Sequence, residues 1–137
     1  MPININPKIW GESFWNTMYF TVYSYPVSPT QEDKNNMLGF FTYLGKILPC
    51  NTCRVNFISH IKKYPLTDKI LSSKQELTQW IENISNEVNQ FIGKPPVKYD
   101  SIIKKLFGKY TIDTKKINIF LLVCLVVLLI FYIKTRQ

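Results

Sequence analysis

Large apolar residues recur in this chain at steps of three and four, and prolines cut the pattern into segments. Such spacing puts them on one face of an α-helix, whereas a half-buried strand alternates with period 2. The sequence holds no period-2 run, no glycine-rich phosphate loop and no internal repeat. In "KIWGESFWNTMYFTVYSYP", Ile9, Trp10, Phe14, Trp15, Met18, Tyr19, Val22 and Tyr23 share one face, closed by Pro26 and Pro29. "SPTQEDKNNMLGFFTYLGKIL" predicts a second helix, with Ser28 as N-cap, Pro29 at the first helical position and Pro49 as breaker. "CNTCRVNFISHIKKYP" predicts a third, closed by Pro65. In a fourth, capped by Ser72 or Ser73, the stripe is Leu77, Trp80, Ile81, Ile84, Val88, Phe91 and Ile92, stopped by Gly93 and Pro95. "YDSIIKKLFGKY" predicts a shorter fifth. The expectation is an all-α protein, a four-helix bundle plus a short fifth helix.

The segment "INIFLLVCLVVLLIFYI", residues 117–133, has no charge. As a helix it spans roughly 26 Å, close to the hydrocarbon core of a bilayer. Lys115 and Lys116 precede it, and Lys134 and Arg136 follow. It predicts a C-terminal transmembrane helix, dividing the chain into a body, 1–113, and a membrane anchor, 114–137. The excess of lysine before the helix favours a body facing the cytoplasm. The formal net charge is +8, of which residues 94–116, with seven Lys against two Asp, carry +5. That charge clusters beside the membrane segment instead of interleaving with aromatics, which argues against a nucleic-acid partner.

Cys50 and Cys53 sit in "LPCNTC", at the start of the third helix. With one histidine, His60, and the third cysteine, Cys124, inside the apolar run, the four ligands of a structural zinc site are lacking, so no metal is expected. A helix N-terminus favours the thiolate, and a Cys-x-x-Cys turn can close on itself. A reversible dithiol and a pair of inert buried cysteines both fit these residues. Trp15, Tyr19, Trp80 and Phe91 are spaced to face the bundle interior, as core or as the lining for a flat cofactor. Asn86 and Asn89, beside Val88 on the buried stripe, need polar partners. A heterocycle would supply them, and Lys94 could meet a pyrophosphate. His60 reads as a surface residue.

Taken together, "WGESFW" with Tyr25–Pro26, "LPCNTC", and "WIENISNEVNQFIGKP" resemble the FAD-linked sulfhydryl oxidases of the Erv/ALR type over residues 7–110. In the last segment Trp80, Asn86, Val88, Asn89, Gly93, Lys94 and Pro95 match the family's W-x4-H-N-x-V-N-x3-G-K-P. The resemblance implies a homodimer with FAD in the mouth of the bundle. Cys50 and Cys53 become the redox pair, with Cys53 against the flavin and Cys50 exchanging with substrate. Trp15, Tyr19, Trp80, Asn86, Val88, Asn89 and Lys94 become cofactor-binding residues. Electrons pass from a dithiol-containing protein, or a thioredoxin-like carrier, through the pair and FAD to O₂, releasing hydrogen peroxide. The branch in large cytoplasmic DNA viruses fits best, because the cytosol otherwise keeps thiols reduced.

The sequence departs from the family pattern at three places. Tyr19 and Ser85 stand where the family has histidine, and Leu106–Phe107 where it has Arg–Trp. No second cysteine pair is available as a shuttle. A tail-anchored structural or docking bundle without oxidase activity is the competing expectation.

Overall fold

The computed structural model of the chain describes residues 4–110 and 114–135, all of its regular structure being helical. Seven helices follow in order: α1 (Pro7–Tyr23), α2 (Gln31–Ile47), α3 (Asn51–Lys63), α4 (Asp68–Leu71), α5 (Lys74–Phe91), α6 (Tyr99–Tyr110) and α7 (Thr114–Thr135). The chain separates into two compact units, Met1–Leu106 and Phe107–Gln137.

In the first unit α1 packs on α5, α2 on α3, and α3 on α5, while the one-turn α4 touches α2 and α5. The largest fully buried side chains, Val22, Phe41, Leu77, Ile81 and Ile84, come from α1, α2 and α5. Phe41 meets Trp80 edge-on at 4.7 Å between ring centres.

The helix ends have local causes. Asn6 caps α1 by accepting the Lys8 N–H, with Pro7 inside the first turn. Thr30, not Ser28, caps α2, which leaves Pro29 outside the helix. Its hydroxyl accepts the Asp33 N–H, and the Asp33 carboxylate accepts the Thr30 N–H, a reciprocal box that Ser28 cannot make. The bonds from the Thr30 hydroxyl and N–H hold the Asp33 carboxyl below its usual range. Ser73 caps α5, and Gly93, at φ 70°, turns the chain out of it.

Two of the predicted apolar faces are corrected. Ile9, on the predicted apolar face of α1, is 77% exposed, because burial on that helix begins at Met18. Phe91, placed in the bundle interior by its spacing, is 72% exposed, and Ile92 is exposed with it. The stripe of α5 outlasts the core: full burial stops at Ser85 and Val88 is half-buried. α4 was not anticipated, since a single turn shows no period.

Among the described residues no helix is long and apolar enough to cross a membrane. The anchor expectation falls on α7, where the side chains of several residues in the run 117–133 lie outside the described ones.

Candidate functional site

Cys50 and Cys53 form a disulfide, with Cα atoms 5.1 Å apart. Cys50 is the N-cap of α3, and its Sγ accepts the Cys53 N–H at 3.1 Å. A thiolate there gains from the orphan amides and the positive end of the helix. Arg54 braces the turn from behind, donating from Nη1 to the Leu48 carbonyl at 3.1 Å. Cys53 is half-buried and packs against the main core. Cys50 is only 6% exposed, which departs from the substrate-facing position implied for it.

The half-buried Trp15 packs on the same core and stacks with the buried Tyr19, at 5.7 Å between ring centres and 26° between planes. Tyr99 meets Tyr19 edge-on at 6.0 Å, and its hydroxyl donates to the Tyr19 carbonyl at 2.9 Å. The Ser85 side chain lies near enough to the Tyr19 phenol to favour its ionised form, so the two positions at which the resemblance expects histidine neighbour each other. Ser85 Oγ donates in turn to the Glu82 carbonyl at 2.9 Å. Burial pushes both the Tyr19 and Tyr99 phenols upward, opposed at Tyr19 by the nearby Ser85 side chain.

The stripe residues divide by what their polar atoms touch. Trp80 is 2% exposed and its indole N–H donates to the Tyr64 carbonyl at 2.7 Å, so its polar atom is committed to the fold. Asn86 is also spent locally: its Nδ2 donates to the Val97 carbonyl at 3.0 Å and its Oδ1 accepts the Val97 N–H at 2.8 Å. The heterocycle expected to satisfy that amide is not needed there. Asn89 is half-buried, and among the described residues its side-chain amide has no partner. Lys94 is exposed and lines, with Asn86, Tyr64 and Glu87, a cleft of about 550 Å³.

Glu82 carries no family signal and was passed over. It is a buried carboxylate whose Oε2 accepts the Tyr99 N–H at 2.9 Å and whose Oε1 accepts Lys98 Nζ at 3.0 Å. With Asn86 one turn on, it staples residues 97–99 to α5 and sets Tyr99 against Tyr19. The signal available was a carboxylate between Ile81 and Ile84 on an apolar face. His60 is corrected as well. Its side chain is 15% exposed, turned toward Glu87 with Nδ1 4.0 Å from Oε2, because the end of α3 packs on α5. Glu87 also accepts from Lys63 Nζ at 2.8 Å and the Tyr64 hydroxyl at 2.9 Å, and these bonds hold its carboxyl below the usual range.

The Trp15–Tyr19 stack offers an aromatic face, Asn89 a half-buried amide and Lys94 an exposed cation, each suited to a heterocyclic cofactor bearing phosphate, but the cleft at Lys94 is lined by none of the other three. The fit falls on Trp15, Tyr19, Asn89 and Lys94. The polar atoms of Trp80 and Asn86 are bonded to the backbone of Tyr64 and Val97.

A helical bundle that carries a Cys-x-x-Cys disulfide at a helix N-terminus, on a core shared with a stacked aromatic pair, defines a helical dithiol–disulfide protein. The model of the Erv1/Alr family matches residues 12–108, and the chain belongs to that family. It is 38% identical over 112 residues to the "Probable FAD-linked sulfhydryl oxidase" of Acanthamoeba polyphaga mimivirus, covering 82% of this chain and 77% of that protein. It is 32% identical over 90 residues to the mitochondrial FAD-linked sulfhydryl oxidase ERV1 of Saccharomyces cerevisiae, over 66% of this chain and 45% of that protein. The crystal structure of the FAD binding domain of Erv1 from Saccharomyces cerevisiae superposes with a TM-score of 0.65 at 28% identity, over 71% of this chain and 90% of that one.

Proposed function

We propose that this chain is an FAD-linked sulfhydryl oxidase that makes disulfides in protein substrates. The observation that carries the reading is the Cys50–Cys53 disulfide at the start of α3, with Cys53 packed on the core that also holds the Trp15–Tyr19 stack. A substrate thiolate attacks Cys50 Sγ, the bond to Cys53 breaks, and Cys53 leaves as thiolate. A second substrate thiolate attacks the mixed disulfide and releases Cys50. The substrate then holds a disulfide, and the pair holds its two electrons. Cys50 leaves toward the Cys53 N–H at the helix N-terminus, which lowers the energy of the departing anion. FAD, when bound, would supply the two-electron acceptor for the reduced pair, with O₂ as final oxidant and hydrogen peroxide as its product. Trp15, Tyr19, Asn89 and Lys94 are the residues that would hold FAD, the aromatics by stacking, Asn89 by its amide and Lys94 by its charge. Glu82 and Asn86 position Tyr99 behind Tyr19.

The reading includes a dithiol protein or thioredoxin-like carrier as partner. It includes a homodimer, supported by the exposed Tyr43 and Ile47, one turn apart on α2. It also includes anchorage by α7 with the bundle facing the cytoplasm, as in a viral protein assembled there. Anchorage is supported by the uncharged run 117–133 and by the exposure of Leu121, Leu122, Leu125 and Leu128 on α7.

The test is the visible spectrum of the purified full chain, with the flavin identified after denaturation, and oxygen uptake with dithiothreitol. A yellow protein that consumes oxygen and releases peroxide is expected. A colourless but folded helical protein would retire the oxidase reading in favour of a docking bundle.

A further inference from the structure

Cys50 is nearly closed off, yet the thiol exchange above starts on its sulfur. The residues on both sides of it are hydrogen-bonded to the segment that precedes α1. The Ile5 N–H donates to the Pro49 carbonyl at 2.8 Å. The Asn51 N–H donates to Asn4 Oδ1 at 3.0 Å. The Trp10 indole N–H donates to the Ile5 carbonyl at 3.0 Å and ties this strap down to α1. Residues 4 and 5 therefore lie alongside Pro49–Asn51 and bracket the reactive turn.

Neither group that the strap satisfies is used by α3 itself. Asn51 is the first helical residue, so its N–H is one of the orphan donors of the helix N-terminus. The Pro49 carbonyl lies before the N-cap and outside the helical ladder. Together they form a short acceptor–donor edge flanking Cys50, which an extended peptide can pair with through its own backbone.

We propose that this edge is the docking site for an extended, cysteine-bearing segment of the substrate protein, and that residues 4 and 5 occupy it until substrate displaces them. The proposal rests on the oxidase reading, whose substrate class it narrows. A backbone N–H of the substrate takes the place of Ile5 at the Pro49 carbonyl. A backbone carbonyl, or an Asn, Asp, Ser or Thr oxygen, takes the place of Asn4 at the Asn51 N–H. Both contacts are made to main-chain groups of the enzyme, so recognition tolerates many sequences but requires an unfolded or loop segment. A cysteine inside a folded helix, whose backbone groups are already paired, is a poor substrate. Among the described residues three hydrogen bonds hold the strap, few enough for it to open locally without unfolding the bundle.

The experiment uses the full chain and follows reduction of the Cys50–Cys53 disulfide, under anaerobic conditions, by an unstructured peptide bearing two cysteines. Asn4→Ala and Trp10→Phe each remove one strap hydrogen bond. Each is expected to raise the reduction rate about fivefold, the equivalent of about 1 kcal/mol. The same thiols placed in a stable helical peptide should react more slowly with every variant. Amide exchange in the unmodified chain supplies a second reading. The Asn51 N–H should exchange faster than the core amide of Ile81, and a cysteine-free extended peptide should slow it. Unchanged rates in both folded variants, or an Asn51 amide as protected as Ile81, would overturn the proposal. These readings need neither bound flavin nor oxygen turnover, so they stand apart from the spectrum and oxygen uptake that decide the oxidase reading.

Discussion

Glu82 shows what a single buried charge does in this bundle. Burial by itself would raise its carboxyl, but the Tyr99 N–H and the Lys98 ammonium outweigh burial and hold it below the usual range. Its folded-state value is thus depressed relative to the unfolded chain. Its stabilisation is present above the unfolded value of about 4.3 and is lost as pH falls through the folded one. Glu82→Ala should cost about 1–3 kcal/mol near neutral pH, because the Tyr99 N–H at the start of α6 loses its acceptor. Glu82→Gln keeps an acceptor and should cost less, and its deficit against the parent should shrink in acid. Thermal unfolding followed across pH checks both. The cysteines give a second residue-scale expectation. Ser at Cys50 or at Cys53 should abolish oxygen uptake with dithiothreitol, while Ser at Cys124, which is in no disulfide, should leave it nearly intact. An oxygen electrode decides it, and loss of uptake with Cys124→Ser would reveal a shuttle thiol. The Cys-x-x-Cys spacing was visible in the sequence, but it fitted inert buried cysteines as well as a dithiol, and its redox role came with the family resemblance. The fate of Asn86 was not visible, because its partner is the backbone of Val97, beyond two prolines in a segment without periodic pattern.

At the scale of helices, most of the bundle followed from proline positions and the 3–4 rhythm, and the misses share a cause. Periodicity reports which residues could share a face, and only tertiary contact decides how far along the helix that face is covered. Hence Ile9 and Phe91 keep the rhythm and stay exposed, at opposite ends of α1 and α5. Cap choice turned on a reciprocal pair, Thr30 with Asp33, that outranks the nearby Ser28–Pro29 signal. The strap over the cysteine turn left no trace in sequence, since Asn4 and Ile5 act mainly through short-range hydrogen bonds to residues more than forty positions away. The α2–α3 contact yields an element-scale prediction. A Cβ built on Gly45 meets Phe57 Cδ1 at 3.0 Å and Ile58 Cγ1 at 3.4 Å. Gly45→Ala should gain about 1 kcal/mol of helix propensity. The Phe57 ring is buried and has little freedom to retreat, so overpacking at about 1–3 kcal/mol should outweigh the gain. A lower melting temperature is expected by circular dichroism. A higher one would mean that α2 and α3 separate slightly without cost.

Over the whole molecule the charge and the apolar surface are segregated along the chain. Residues 94–116 carry seven Lys against two Asp, and the uncharged run 117–133 follows at once. Lysines beside an apolar segment attract anionic headgroups by about 1 kcal/mol each near the surface, and salt screens that attraction. A buried apolar helix is insensitive to salt in this sense. The two contributions therefore separate by ionic strength. At about 0.1 M salt the Debye length is near 10 Å, and at about 1 M it falls to roughly 3 Å. If α7 enters the bilayer, the full chain should float with vesicles at both salt concentrations, and anionic lipid should only hasten its capture. If the lysines alone hold it at the surface, flotation should occur at low salt with anionic vesicles and vanish at high salt. Removal of residues 114–137 should abolish the salt-resistant fraction in the first case and only weaken the low-salt fraction in the second, since Lys94, Lys98, Lys104, Lys105 and Lys109 remain. Flotation that resists high salt and is lost with that segment is the outcome the anchored oxidase requires. An intact chain that stays with the aqueous phase at both salt concentrations would remove the membrane from the proposed function and leave the chemistry of Cys50 and Cys53 untouched.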